Sequence, residues 1–338
     1  MDDTLIMATG LLVERNEAVT PFPHAAPPEL LEELSARATA CLQREGAPGE
    51  WEIHPLDQLS LAMRAYLVER GLLTPDFAER SGSGRLAGVL HGGRASLETN
   101  GASHFRLLCS RPSDHLMEMW DVVDGLDDVL EAEFAWAFHD RRGYLSADPD
   151  VCGTGLHVHI TLEIPVLMVT GRLGALAVRL QSQGFTLAPV WESAGGMFQI
   201  FNRSTSGRNE GELMTAALDA ARAVVDRERS ARKAVYRENP GRARDYVGRA
   251  LGVAQQAWVV NAAEGVSLIS ALQVGGELGV TEPALSPQDA FALMRRIQPG
   301  HIVVEEVRAA HGGLEEPAID EARARILRDT FAGTRARR

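Results

Sequence analysis

The sequence predicts an α+β fold in which an antiparallel sheet is followed by a region built only of helices. Three observations carry that expectation. Short strand-like runs at 86–90, 95–99 and 105–109 follow one another at hairpin-length spacing, the pattern of a meander rather than of a doubly wound parallel sheet. From Leu156 the chain alternates, with Leu156, Val158, Ile160 and Leu162 on one face and His157, His159, Thr161 and Glu163 on the other. After Asn239 only helical patterns remain.

Taken in order, residues 1–24 read as a short extended opening and a proline-punctuated loop. Pro27-Pro28 then start a helix with Leu30, Leu31, Leu34, Ala38 and Leu42 on one face and a glycine at its end. A second helix is expected over 57–70, stopped by Gly71, and a flexible loop over 80–85. An acidic amphipathic helix is expected over 114–138, its carboxylates forming a solvated face. Asp148, Pro149 and Asp150 form turns before Gly153-Thr154-Gly155, a loop that allows positive φ and close backbone approach. Past the alternating strand come a helix near 171–183, strands at 185–191 and 197–202, and a long helix over 209–233. Asn239-Pro240-Gly241 marks a boundary between a domain at 1–238 and a helical one at 239–338, in which Ser286-Pro287 is an N-cap followed by proline at the first helical position.

The 338 residues are enough for a sizeable core, and 45% apolar with 24% charged residues is an ordinary globular balance. A net charge of -12 argues against a nucleic-acid surface, which needs a basic stripe. The acidic opening MDDTLIM does not read as a signal peptide, and no stretch approaches a membrane span. Cys41, Cys109 and Cys152 follow no disulfide pattern, which suits a reducing cytoplasm. His24, His91 and His139 read as surface or loop histidines.

Several stretches together resemble the ATP:guanido phosphotransferase family, and within it the bacterial protein-arginine kinases. They are the PFPH of Pro21 to His24, the LVERGLLTPDFAE of 67–79, the Gly-Thr-Gly loop after an acidic helix, and the helical extension after 239. The resemblance covers nearly the whole chain. It implies a curved antiparallel sheet flanked by helices, as in the guanido kinase and glutamine synthetase-like catalytic fold. It also implies a C-terminal domain used for dimerisation and phosphoarginine recognition.

Guanidino phosphorylation by ATP needs an arginine cage for the triphosphate, acids that orient the guanidinium, and bridging Mg²⁺. Against the family motifs, most of these letters are replaced. The Ser-Ser-Arg-x-Arg stretch reads Ala8-Thr9-Gly10-Leu11-Leu12, so Gly10 and Leu12 stand where arginines are expected. Asn-Glu-Glu-Asp-His-x-Arg reads Asn100-Gly101-Ala102-Ser103-His104-Phe105-Arg106, leaving His104 and Arg106 but no acid; Ala102 takes the place of one that acts on the guanidinium. The reactive cysteine becomes Asp148, with Cys152 four residues on, and the arginine after Gly-Thr-Gly-Leu becomes His157. A later arginine becomes Ala188, and Glu192 stands in for the glutamate of a shortened loop.

Arg106 is thus the one cage arginine left, and the resemblance implies that His104, Arg106, His157 and Glu192 face a common cleft. The expectation is a pseudokinase with a regulatory or scaffolding role and no cofactor, beside an active kinase or a protein-quality-control complex. An active phosphotransferase with a rearranged site, using ATP and Mg²⁺, is the alternative. His157 and His159 at i, i+2 suit either a metal or plain filling of the emptied cleft, and the first reading gives a second alternative, a metal-dependent activity. Asp320 and Arg323 resemble the family's Arg-Asp-x-x-Arg-Ala phosphoarginine motif, with Ile319 at its first arginine; a solvated i,i+3 pair is the other reading. Apolar residues such as Val266, Leu268, Ile269, Leu272, Phe291, Leu293 and Met294 exceed one buried stripe, so a homodimer, or pairing with a related kinase, is expected through residues after about 240.

Overall fold

The computed structural model describes residues 5–44, 49–112, 115–307 and 316–337. Its strands are β1 Ile6–Arg15, β2 Trp51–Pro55, β3 Leu86–Leu90, β4 Ala95–Thr99, β5 Phe105–Arg111, β6 Phe138–His139, β7 Gly143–Tyr144, β8 Leu156–Glu163, β9 Phe185–Pro189 and β10 Met197–Asn202, with the short pair β11 Thr281–Glu282 and β12 Arg335–Ala336. Its longer helices are α1 Pro28–Leu42, α2 Leu61–Glu69, α3 Pro75–Glu79, α4 Leu116–Glu131, α5 Pro165–Val169, α6 Leu173–Ser182, α7 Glu210–Glu238, α8 Pro240–Gln256, α9 Ala262–Glu277, α10 Pro287–Arg296, α11 Pro299–Val307 and α12 Glu316–Phe331. Eight strands form one antiparallel sheet in the order β2-β3-β4-β5-β1-β8-β10-β9. The α+β class and the helical region after Asn239 are therefore as the sequence indicates.

Four elements differ from expectation. Residues 6–15 are a ten-residue strand between β5 and β8, not an extended opening. Residues 6–13 are apolar apart from Thr9 and Gly10, with no alternation, which is how a strand covered on both faces reads, and nine of the ten residues are buried. The helix expected over 57–70 is interrupted, because Ser60 Oγ accepts from Met63 N–H and caps a new start at Leu61. The strand β2 went unrecognised; it sits at the sheet edge, paired only with β3, and ends in Pro55. The acidic helix stops at Glu131, and Phe134 and Trp136 beyond it turn inward onto Phe105, with ring centroids 4.7 and 5.5 Å away. Asp114, where that helix was expected to begin, and Gly46, the glycine expected to end α1, lie outside the described residues.

The chain packs as two compact units. One comprises residues 8–160 and 201–218; the other comprises 1–7, 161–200 and 219–338. In the first, the apolar face of β8 is fully covered: Leu156, Val158 and Ile160 are all 0% exposed.

In the second unit, the polar face of β8 continues into a buried charge cluster. Arg232 on α7 pairs with Glu163 at 3.2 Å, with Glu228 at 2.9 Å and with Glu277 on α9, and donates to Gln273. Glu228 also accepts from the N–H groups of Val166 and Leu167, closing the open end of α5. The helices after Asn239 thus complete the environment of Arg232, which lies before that residue in the chain. Asn239 itself caps α8 through Oδ1 to Arg242 N–H. The apolar residues expected as a surplus, Val266, Leu268, Ile269, Leu272, Phe291, Leu293 and Met294, are all buried within this unit, so they are core and not a partner surface. Among the described residues, the large apolar side chains exposed in this region are instead Tyr246, Val253, Trp258 and Val259. No described helix is long and apolar enough to cross a membrane.

Candidate functional site

The site is built on the β4-β5-β1-β8 part of the sheet. Cross-strand partners are Glu98 with Arg106, Arg106 with Glu14, Leu108 with Leu12, and Ser110 with Gly10. On the other side of β1, Glu14 N–H donates to Gly155 O at 3.0 Å, and a Cβ placed on Gly10 would lie 3.6 Å from His159 Cβ. That register sets Leu12 opposite His157. Because alternate residues share a face, Gly10, Leu12, Glu14, Glu98, Arg106, His157 and His159 all lie on one face of the sheet. The structure therefore brings together Arg106 and three of the positions where arginines are replaced.

Arg106 is enclosed by carboxylates. Its guanidinium lies 3.3 Å from Glu14, 3.0 Å from Asp76 and 3.8 Å from Glu98, and Nη1 also donates to Thr74 Oγ1 at 3.1 Å. Burial acts to lower its pKa, but the charges of Glu14, Glu98 and Asp76 outweigh burial and raise it. Asp76 shows the reciprocal effect: burial opposes, while the Arg106 charge and bonds from Thr74 and Arg106 hold its carboxyl below the usual range. Glu98 behaves differently. It is 0% exposed and the farthest of the three from the guanidinium, so desolvation dominates and pushes it up to about 7. It is held in place by the N–H and hydroxyl of Thr74.

These three acids were missed in the sequence, and two left a signal. Glu14 falls in the same alternation as Gly10 and Leu12, and Glu98 is the one charged residue in the short run Ala95–Thr99.

His157 is partly buried, and burial together with the Arg106 charge lowers its pKa. His159 stacks on Phe201 at 5.6 Å and lies 6.4 Å from His157, centroid to centroid. Among the described residues no group of three or more histidines, cysteines and acids comes together to hold a metal.

His104 is not on this face. It is 0% exposed, its Nδ1 accepts from Glu17 N–H at 3.1 Å, and its Nε2 therefore carries the proton and faces Pro21 O at 3.0 Å. Burial depresses its pKa. It fastens the chain after β1, and the expected place in a nucleotide cleft is corrected on that ground.

Ala102 is exposed in the turn before β5. Asp148 is also exposed and caps the turn Pro149–Val151 by accepting from Asp150 N–H at 3.0 Å. Cys152 follows that turn, its Sγ accepting from Ser146 N–H at 3.4 Å. Ala188 is half-buried in β9, in the other unit. The side chain of Glu192 lies outside the described residues, so its expected role finds no geometry here. Its backbone belongs to a 3-10 turn, Trp191–Gly196, anchored on α9 and α10: Gly195 N–H donates to Ser267 Oγ at 3.3 Å and Trp191 stacks on Phe291 at 5.7 Å.

The phosphoarginine-like pair also differs from expectation. Arg323 is 1% exposed, and its guanidinium donates to Ile297 O at 2.8 Å and Val260 O at 2.7 Å besides pairing with Asp320. It ties α12 to the end of α10 and the start of α9. Neither a solvated pair nor an open ligand-binding arginine describes it.

An antiparallel sheet flanked by helices, carrying an arginine and replaced arginine positions on one face, defines a guanidino-kinase-like protein. The fold neighbours agree: a duplicated taurocyamine kinase from Schistosoma mansoni superposes with TM-score 0.60 over 70% of this chain and 34% of its own, at 20% identity. Lombricine kinase gives 0.58 over 68% of both chains at 15% identity. The description "ATP:guanido phosphotransferase, C-terminal catalytic domain" matches residues 33–231, and "Protein-arginine kinase McsB C-terminal domain" matches 241–338. A protein-arginine kinase of Moorella thermoacetica is 31% identical over 337 residues, 97% of this chain and 94% of its own length. One of Brevibacillus brevis is 27% identical, covering 97% and 92%. The chain belongs to the ATP:guanido phosphotransferase family, in its protein-arginine kinase branch.

Proposed function

We propose that this protein is a catalytically silent protein-arginine-kinase-like protein, with a regulatory or scaffolding role in the cytoplasm. The observation that carries the proposal is the state of Arg106. The one arginine left from the cage is committed to Glu14, Asp76 and Glu98, so the face that would receive a triphosphate presents acid in excess of base. Gly10, Leu12, His157 and Ala188 offer no guanidinium in its support. A charge-assisted contact is worth about 1.5–3 kcal/mol, so four missing ones remove at least about 6 kcal/mol, about 10⁴-fold in affinity. The residues present do not fit a magnesium nucleotide.

In this reading the protein acts by assembly, as a homodimer or beside a related active kinase or a protein-quality-control complex. Tyr246, Val253, Trp258 and Val259 are the exposed apolar side chains available for such a surface.

The alternative, an active arginine phosphotransferase with a rearranged site, is favoured by one fact: relatives matching 97% of the chain are named protein-arginine kinases. A transfer assay decides between them. Radiolabelled ATP, Mg²⁺ and an arginine-rich acceptor protein are incubated with this chain or with an active family member. The proposal expects no acid-labile label above the no-enzyme background; turnover by this chain that is abolished by Arg106→Ala would establish the alternative.

A further inference from the structure

A cavity of about 660 Å³ opens between the β6–β7 hairpin and the loop that leads into α7, and its rim is basic. Arg141 and Arg142 stand on the hairpin turn and Arg208 on the loop, all three exposed. None of these guanidinium groups meets a carboxylate or a carbonyl among the described residues. Two acids, Asp140 and Glu210, share the lining, so base exceeds acid there although the whole chain carries a net charge of -12. The floor is held by backbone: Tyr144 and Gly153 exchange hydrogen bonds at 2.8 and 3.1 Å, and Thr154 N–H donates to Thr205 O at 3.0 Å. Phe138, 56% exposed, adds an apolar ring edge-on to Tyr144 at 5.3 Å. Arg15 lies 3.5 Å from the centre of the Tyr144 ring and pairs with Asp127 of α4 at 2.7 Å. It follows Glu14 on β1, so the cavity and α4 both lie on the side of the sheet opposite Arg106.

The outer face of α4 has the complementary character. Met117, Asp121, Asp124, Asp128 and Glu131 recur at helical spacing, which puts them on one stripe, and all are exposed. The four acids have no basic partner among the described residues. Like charges at this spacing destabilise a helix. Partial desolvation, then the charges of Asp128 and Glu210, raise the Asp124 carboxyl. Because Glu210 also lines the cavity, stripe and cavity are neighbours. An acidic stripe that begins with an exposed methionine thus adjoins a basic rim that holds an exposed phenylalanine, and neither set of charges is neutralised among the described residues.

We propose that these surfaces form a contact between two copies of the chain, the α4 stripe of one lying across the arginine rim of the other, reciprocally about a twofold axis. Each copy then supplies what the other lacks: carboxylates for Arg141, Arg142 and Arg208, and counter-charges for Asp121, Asp124 and Asp128. Met117 of one copy packs against Phe138 of the other, an unbranched thioether on an aromatic ring. The contact rests on the reading of a protein that acts by assembly, and it lies in a different unit from Trp258 and Val259.

Sedimentation velocity of the full chain, in low and in high salt, tests it with two charge-reversed variants. Arg141→Glu with Arg142→Glu makes the rim acidic, and Asp124→Arg with Asp128→Arg makes the stripe basic; all four positions are exposed, and thermal melts check the fold. Wild type is expected to self-associate in low salt and about tenfold or more weakly in high salt. Each variant alone should self-associate about tenfold or more weakly than wild type, because the reversed charges repel the second copy. An equimolar mixture of the two should recover the complex, since the acidic rim of one meets the basic stripe of the other and the two unaltered surfaces also match. A wild type that stays monomeric in low salt, variants that associate as wild type does, or a mixture that does not pair would each overturn the contact. Trp258→Asp separates this from the assembly reading: association lost in that variant but unchanged in both charge-reversed ones overturns the contact and leaves assembly standing.

Discussion

Replacing Arg232 by methionine tests the charge cluster that joins α7, β8 and α9. Arg232 is 1% exposed, and its two nearest acids, Glu163 and Glu228, are both 0% exposed. Methionine keeps the unbranched bulk but leaves two carboxylates without a counter-charge. Removing one member of a buried pair costs about 3–5 kcal/mol, because the remaining charge stays desolvated. Melting entropy near 2.1 cal/mol/K per residue over 338 residues is about 0.7 kcal/mol/K, so Tm should fall by about 4–7 °C if the chain melts as one unit. Burial already raises the Glu163 carboxyl against the pull of Arg232, so adding Glu163→Gln to Arg232→Met removes one stranded charge and should recover part of the loss. Differential scanning calorimetry at neutral pH measures both variants. A fall below about 1 °C for Arg232→Met, or no recovery in the double variant, would refute the claim that Arg232 neutralises these acids.

Two further outcomes follow from the site geometry. Glu98 has a folded-state pKa raised from 4.5 to about 7, so the folded state favours its protonated form; the stability this contributes is complete below about 4.5 and is lost as pH rises through about 7. Against Glu98→Gln, which cannot titrate, wild type should lose roughly 3 kcal/mol across that window, read from paired denaturant titrations; parallel pH profiles for the two proteins would contradict this. Arg323→Ala should destabilise the chain by about 3 kcal/mol or more, since it strips donors from two buried carbonyls and leaves Asp320 alone; a fully stable variant would return Arg323 to the status of a binding residue.

Local pattern was legible where the physics is local. The alternation of β8, the hairpin spacing of β3 to β5, the proline start of α1 and the serine cap of α10 all lie within a few residues of what they determine. The position of β1 was not, because an apolar run with no period fits a buried strand and a loosely ordered start equally well until its neighbours are known. The charge partners were out of reach for a different reason. Arg106 gathers acids from β1, β4 and α3, and Arg232 meets an acid 69 residues away; no sequence spacing announces either. Gly10, Leu12 and His157, three of the four positions read as replaced arginines, share one sheet face with Arg106, whereas Ala188 lies in the other unit and His104 and Arg323, read as ligand groups, are packed away. Their burial, and the carbonyls and amides that occupy them, are properties of packing.

If the protein is catalytically silent, the Arg106 face takes up no nucleotide, and titration calorimetry with Mg-ATP on the full chain measures this. With Arg106 held by Glu14, Asp76 and Glu98 and four arginines absent, the expected Kd is about millimolar or weaker, with no saturable heat at lower concentrations. A saturable isotherm with Kd of about a micromolar, weakened by Arg106→Ala, would show that the cage still works and contradict the account.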